Sequence, residues 1–435
     1  MSRLLDGFAR SLKRWVKILK SSQDLRQLLL MVSQSGMLRY PINLLLGRMG
    51  LAVLELRSYS SIAKPAQSVV SGQARSVISL PREEGERPRS RESEFPPIRA
   101  RHFELGLINC SSSAIVHDGK ILVPDYYFEN RDRVLCSGGH LKSMNDQLGL
   151  IEVRDKYSLP NGVAITGLGS YNWYHWLVEI LPMAMLASRL SLPFRDYPLL
   201  VPDDYGRYAS FHDSLEPFRM GRRVVQLDKS SNYAVRDLIV IDSPVRGPFN
   251  LGPGLWPEVA DYQLNAEVLH EFRSKILKSL SIEAVRPTEM LFLARDNSRR
   301  SYNQDDLLEI AQGFGLRVVY PEALSFREQV HLFYSARCIV GASGAAWANI
   351  LFCQSSTKGL TWTFPEYREF CAYSSLAGIV GMDLTYLFAA AAEELSDTAK
   401  AYDMDYQVSP ASFTRSLESI LTPVQPRNEP WPKGP

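Results

Sequence analysis

The sequence predicts an α/β protein with mostly parallel sheets, split into two globular segments behind an N-terminal helical arm. Three observations carry this. From Met290 to Val380, short aliphatic runs alternate with helical patterns, the signature of a doubly wound sheet. A looser version of the same alternation runs from Gly162 to Leu280. Finally, 435 residues exceed what one core usually organises, so two domains plus appendages are the natural division. The boundaries expected are a basic amphipathic helical arm at 1–60, a disordered linker at 61–97, an α/β domain with a β-hairpin unit at 98–285, a second α/β domain at 286–400, and a C-terminal helix and tail at 401–435.

Composition narrows the function classes. A hydrophobic fraction of 45% is ordinary for a globular protein. A formal net charge of +2 argues against nucleic acid as a partner. Cys110, Cys136, Cys338, Cys353 and Cys371 are scattered, without a Cys-x-x-Cys pair. This fits reduced thiols in a cytoplasmic protein better than a disulfide framework or zinc site. Asn109-Cys110-Ser111 is formally a glycosylation sequon, relevant only in a secretory compartment.

In the arm, Leu4, Leu5, Phe8, Leu12, Trp15, Val16 and Leu19 share one helical arc, while Arg3, Arg10, Lys13, Arg14, Lys17 and Lys20 occupy the opposite one. That composition suits an interfacial helix on an anionic membrane surface through residues 3–20; a solvated helix packed on its own domain is the alternative. Residues 25–57 read as short helices broken by Gly36, Pro41, Gly47 and Gly50. The Arg/Glu/Ser/Pro-rich run from Pro81 to Pro97 has too little apolar surface to order itself.

In the first globular segment, Ser113–His117 and Lys120–Val123 flank Asp118-Gly119, a two-residue hairpin signal. Gly162–Thr166 reads as a buried strand feeding the turn Gly167-Leu168-Gly169. An aromatic helix follows, Asn172-Trp173-Tyr174-His175-Trp176-Leu177-Val178-Glu179, with Pro182 closing its first segment. His175 and Glu179 are four apart and share a face. A core histidine and a helix-capping Asn172 are the structural alternatives to a site here.

In the second segment, Arg295, Arg299 and Arg300 follow the first strand, and Gly341-Ala342-Ser343-Gly344-Ala345-Ala346 follows the third and opens a helix. Glycines let backbone N–H groups approach phosphate oxygens, the helix N-terminus adds partial positive charge, and arginine adds bidentate bonds. A nucleotide diphosphate suits such a place, though the turn is neither a dinucleotide fingerprint nor a P-loop. Ser325-Phe326-Arg327-Glu328 reads as a capping box, which leaves Glu328 out of the site. Asp403-Met404-Asp405 reads as a surface loop.

These stretches together resemble glycosyltransferase family 61, the capsular-polysaccharide and xylan-decorating transferases. The resemblance rests on Asn172 to Pro182, on Leu293-Ala294-Arg295 through Arg299-Arg300-Ser301-Tyr302-Asn303-Gln304, on Leu324 to Gln329, and on Gly341 to Phe352, in that order. It implies a GT-B-like fold, with two Rossmann-like domains facing a cleft. It also implies an inverting hexosyl- or pentosyltransferase that needs no metal and no cofactor beyond its nucleotide-sugar donor. The acceptor would be a glycan or glycolipid in cell-surface polysaccharide synthesis; the basic amphipathic arm, rather than the resemblance, suggests a cytoplasmic protein peripheral at the inner face of the membrane. On this resemblance His175 is the general base and Glu179 its partner, with Asn172 and Tyr174 on the acceptor side. Arg295, Arg300, Asn303, Gly341, Ser343, Gly344, Ala345 and Asn349 would bind the donor. Three positions depart from the family pattern: Ser343 replaces a histidine, Ala294 a serine, and Thr361 a frequent glutamate. They keep open an inactive relative that binds glycans or nucleotides as a scaffold.

Overall fold

The structure is a computed structural model that describes residues 22–422, except 63, 156 and 297–299, and the backbone alone at 64–68. The helix expected over 3–20, the last residues of the tail and Arg299 therefore lie outside the described residues.

The chain builds a mixed α/β architecture around a large mixed sheet. Strands Val224–Leu227, Leu199–Pro202, Tyr157–Ala164 and Tyr233–Ile241 run parallel in that order. Tyr233–Ile241 then pairs antiparallel with Ile98–Ile108. The sheet continues through Ile115–His117, Lys120–Val123, Leu51–Ser58, Leu148–Glu152 and Leu141–Met144. The expected mostly parallel sheet is thus corrected, and the hairpin unit is continuous with it. The reason is local: Asp118 and Gly119 take φ values of 46° and 67°, a tight turn that can only return the chain antiparallel.

The second sheet has five parallel strands in the order Arg317–Val319, Glu289–Leu293, Ala336–Ala342, Lys358–Thr363, Asp383–Phe388. Strand order reverses between Glu289–Leu293 and Ala336–Ala342, and ligands of such open sheets gather at the carboxyl ends of strands flanking that point. Asp383–Phe388 was not anticipated, because Leu384 and Tyr386 extend the sheet only by pairing with Lys358–Thr363. Helix Pro410–Leu421 buries Phe413 and Leu417 against Phe292, Leu360 and Trp362, so it covers this sheet instead of trailing from it.

Residues of both segments meet in one apolar core. Trp176, Leu177, Leu181 and Leu186 from the first share it with Phe326, Val330, Trp347, Leu351 and Leu376 from the second. Each large side chain buried there stabilises the fold by roughly 1.5–3 kcal/mol.

Two appendages differ from expectation. Of the arm 1–60, helices Gln23–Ser33 and Gly36–Gly47 form, with Pro41 inside the second, but Leu51–Ser58 is a central strand of the large sheet. The expected linker 61–97 is not disordered: Lys64–Ser71 pairs with Ile98–Ile108, and Ala74–Ser79 pairs antiparallel with Ser90–Phe95. Ala74, Ser76 and Ile78 alternate inward, while Arg75 pairs with Glu92 on the outer face. Strong charge therefore marks one face of a hairpin, not a solvated chain. Ser79 is held at its carbonyl by Ser374 Oγ (2.6 Å) and at its N–H by Ser375 Oγ (3.2 Å).

A buried titratable group gives a stability prediction. His140 is 1% exposed behind the Gly138–Gly139 turn. Burial, helped by the Lys142 charge, lowers its pKa from 6.5 to about 3. Between those values the unfolded chain binds a proton that the fold refuses. Stability is therefore fully present above pH 6.5 and is lost as pH falls toward 3, by up to about 1.4 kcal/mol per unit. Urea unfolding at pH 7.5, 6 and 5 should show this slope, and His140→Leu should flatten it.

Candidate active site

The site begins at the turn before the aromatic helix. Gly169 has φ +70°, and a Cβ there would stand 2.6 Å from His175 Cδ2 and 2.5 Å from Phe249 Cε2. Only glycine allows the turn to back so closely onto the imidazole. Asn172 Oδ1 accepts from Tyr174 N–H at 2.9 Å, so its side chain shapes the helix entry, as the capping alternative held.

His175–Ile180 form a π-helical turn rather than an α-helical one, followed by the α-helix Leu181–Ala187. Such turns insert one extra residue and concentrate at functional sites. The first segment does end next to Pro182: the π turn stops at Ile180, and Pro182 stands in the first turn of the α segment, where its missing N–H costs least. Trp176, Leu177, Val178 and Ile180 are buried, and Trp176 Nε1–H donates to Ser214 Oγ at 2.9 Å. His175 and Glu179 instead remain partly accessible, each with a side chain 19% exposed, and His175 Nδ1 lies 2.8 Å from Glu179 Oε2. An ionised carboxylate can only accept, so this contact selects the tautomer protonated at Nδ1 and leaves the Nε2 lone pair available. The ring packs between Tyr174 (5.5 Å, perpendicular) and Phe249 (5.0 Å).

Opposite lies the turn after Ala336–Ala342. Arg295 Nη2 donates to the Ser343 carbonyl, and Arg300 Nη2 reaches the same oxygen at 3.4 Å. Arg295 is half-buried, and desolvation lowers its pKa. A Cβ on Gly344 would meet its Nη2 at 2.5 Å, so this glycine makes room for the guanidinium. The segment after the turn, Ala345–Phe352, is a 3-10 helix.

One cleft joins the two halves. Asn172, Tyr174, His175 and Glu179 line one side; Arg300, Ser343, Thr363 and Tyr373 line the other. Phe249, Tyr262, Tyr367, Phe370 and Tyr402 complete an aromatic wall with flat apolar surfaces suited to a sugar ring or base. Tyr367 and Phe370 lie three apart and touch at 5.6 Å, whereas Phe249, Tyr262 and Tyr402 join them from other parts of the chain. A second cavity shares Glu179, Val245 and Gly247 with the cleft and runs back to Asp125 and Asp242. Those carboxylates are already engaged by the Arg101 guanidinium, at 2.7 Å and 3.0 Å.

Six expected donor ligands do not line the cleft. Asn349 is fully buried: it accepts from Trp173 Nε1–H (3.1 Å) and donates to Gln329 Oε1 (3.0 Å), latching the aromatic helix to the second segment. Asn303 exchanges hydrogen bonds with the Val408 backbone (2.9 and 3.0 Å), which pins the chain ahead of the last helix. Gly341 permits close strand packing, since a Cβ would lie 2.8 Å from Leu293 Cβ. Arg295 and Gly344 buttress the turn, and Ala345 packs on the core. Thr361 is buried within its strand. The Ser325/Glu328 capping box is present in both directions. Asp405 is held by Ser301 N–H at 2.6 Å. Asn109 is buried and donates to the carbonyls of Lys229 and Ser231, so the folded sequon is inaccessible to glycosylation.

The chain matches the family model described as Glycosyltransferase 61 over residues 173–360, from the aromatic helix to the fourth strand of the parallel sheet. No curated protein matches it significantly. The matched region contains His175, Glu179, Arg300 and Ser343, so the similarity to that family takes in cleft residues from both segments.

Proposed function

We propose that the protein transfers a sugar, with inversion, from a nucleotide-sugar donor to a polysaccharide or glycolipid acceptor, without a metal or cofactor. The observation that carries this is the single cleft that sets His175 and Glu179 opposite Arg300 and Ser343. The parallel sheet would be the donor half of a GT-B-like arrangement, its switch point opening onto Arg300 and Ser343; the large mixed sheet would be the acceptor half.

In the reaction, the acceptor hydroxyl attacks the anomeric carbon as the bond from that carbon to the diphosphate oxygen breaks. The hydroxyl proton passes to His175 Nε2, and Glu179, 2.8 Å from Nδ1, stabilises the imidazolium that forms. The electron pair of the breaking bond leaves with the nucleoside diphosphate, whose charge Arg300 meets. Attack and departure on opposite faces invert the anomeric centre. The cytoplasmic side of the membrane, where the proposal places the protein, suits five cysteines that are all buried and unpaired.

The test is binding of nucleoside diphosphates by calorimetry. Arg300→Ala should weaken binding roughly tenfold or more, the worth of one charged hydrogen bond, with the fold intact. Equal affinity in the variant would remove Arg300 from the donor site. A scaffold protein, the second reading, is favoured by the engagement of both arginines with the Ser343 carbonyl. It would bind the diphosphate yet turn over no nucleotide sugar.

A further inference from the structure

We propose that the outer face of the helix pair Gln23–Ser33 and Gly36–Gly47 docks the protein on an anionic lipid bilayer. The inner face is satisfied: Leu30 and Leu46 are buried with Leu51, Val53, Leu148 and Leu150 of the large sheet, and Leu25, Leu29 and Ile42 pack beside them. The outer face is also apolar. Leu28, Met31, Met37, Tyr40, Leu44 and Leu45 are all exposed, Met37 to 86% and Tyr40 to 73%. Other exposed large apolar side chains among the described residues are scattered from Val69 to Tyr402. Scattered ones need no explanation, whereas a contiguous patch marks an interaction surface.

Charge selects the occupant. From Gln23 to Leu54 the chain has Arg26, Arg39 and Arg48 against Asp24 alone. The 21 residues before Ser22 add Arg3, Arg10, Lys13, Arg14, Lys17 and Lys20 against Asp6 alone. Ser22 caps the first helix of the pair, its Oγ accepting from Leu25 N–H at 3.2 Å, so the basic segment joins directly onto the apolar face. A second copy of the chain would bring like charges together. An anionic bilayer receives both the apolar side chains and the cations, and an exposed tyrosine suits its headgroup level. Position fits as well. The loop that lines the cleft at Gly247–Phe249 continues at Asn250–Pro253 into a groove lined also by Gln23, Arg26 and Gln27. A membrane at the helix pair would lie beside that loop. The proposal is independent of the catalytic reading.

The experiment is flotation of the full chain with vesicles of phosphatidylglycerol and phosphatidylcholine, compared with phosphatidylcholine alone. Wild type should float with the anionic vesicles and release at high salt. The double variant Met37→Glu/Leu45→Glu changes two solvent-facing residues and should keep its thermal midpoint while partitioning about tenfold less or weaker. Absence of flotation by wild type would overturn the proposal. So would undiminished flotation of the variant, which would assign binding to residues 1–21 alone. A dimer in sedimentation that the double variant abolishes, without vesicle binding, would overturn it in favour of a second copy.

Discussion

Replacing His175 with alanine is expected to lower turnover about 10²–10⁴-fold, the usual contribution of a positioned general base. Affinity for the nucleoside diphosphate should change little, because Arg300 and Ser343 stand on the other side of the cleft. The loss should therefore fall on kcat rather than on donor KM. Glu179→Gln keeps an oxygen that can accept from Nδ1 but removes the negative charge facing the imidazolium. It should cost less than removal of the ring, and the difference between the two variants measures what that charge contributes. Turnover of a nucleotide sugar by both variants, at saturating acceptor, checks the order.

Gly169→Ala is expected to be nearly as damaging although the residue touches no substrate. At φ +70°, the added methyl would come within 2.6 Å of the imidazole and 2.5 Å of Phe249. The left-handed backbone costs roughly 1–3 kcal/mol in a residue other than glycine, and the ring must move. A displacement of about 1 Å at a reacting group can cost 10²-fold in rate. Lowered thermal stability together with a kcat loss of that order would place the turn in control of His175. Full activity with only a small stability change would show that the ring relaxes without consequence.

What could be read from the sequence depended on how local the cause was. His175 and Glu179 meet because they are four residues apart, and their contact survived even though the helix there is π rather than α. That wider turn depends on how Trp176 and its neighbours pack, which periodicity does not report. The parallel alternation after residue 286 was legible from strands such as Glu289–Leu293 and Ala336–Ala342, short apolar runs with mostly buried residues, whereas the edge strand Asp383–Phe388 was missed. The hairpin of Ala74–Ser79 and Ser90–Phe95 was not, since its outer face carries the charge that suggested disorder. Asn349 and Asn303 show a different limit. An amide can serve a ligand or a buried hydrogen bond equally well, and only the partners, Trp173 and Gln329 or the Val408 backbone, decide. The aromatic wall was not singled out because, although Tyr367 and Phe370 are close in sequence, Phe249, Tyr262 and Tyr402 join them only in the folded chain.

The central claim is that sugar leaves its nucleotide with inversion in the cleft shared by His175 and Arg300. Proton NMR of the product formed from a panel of α-linked nucleotide sugars tests it most directly. The expected result is a β-linked product from wild type and at least a hundredfold slower formation by His175→Ala. An α-linked product, or equal rates for the two proteins, would contradict it.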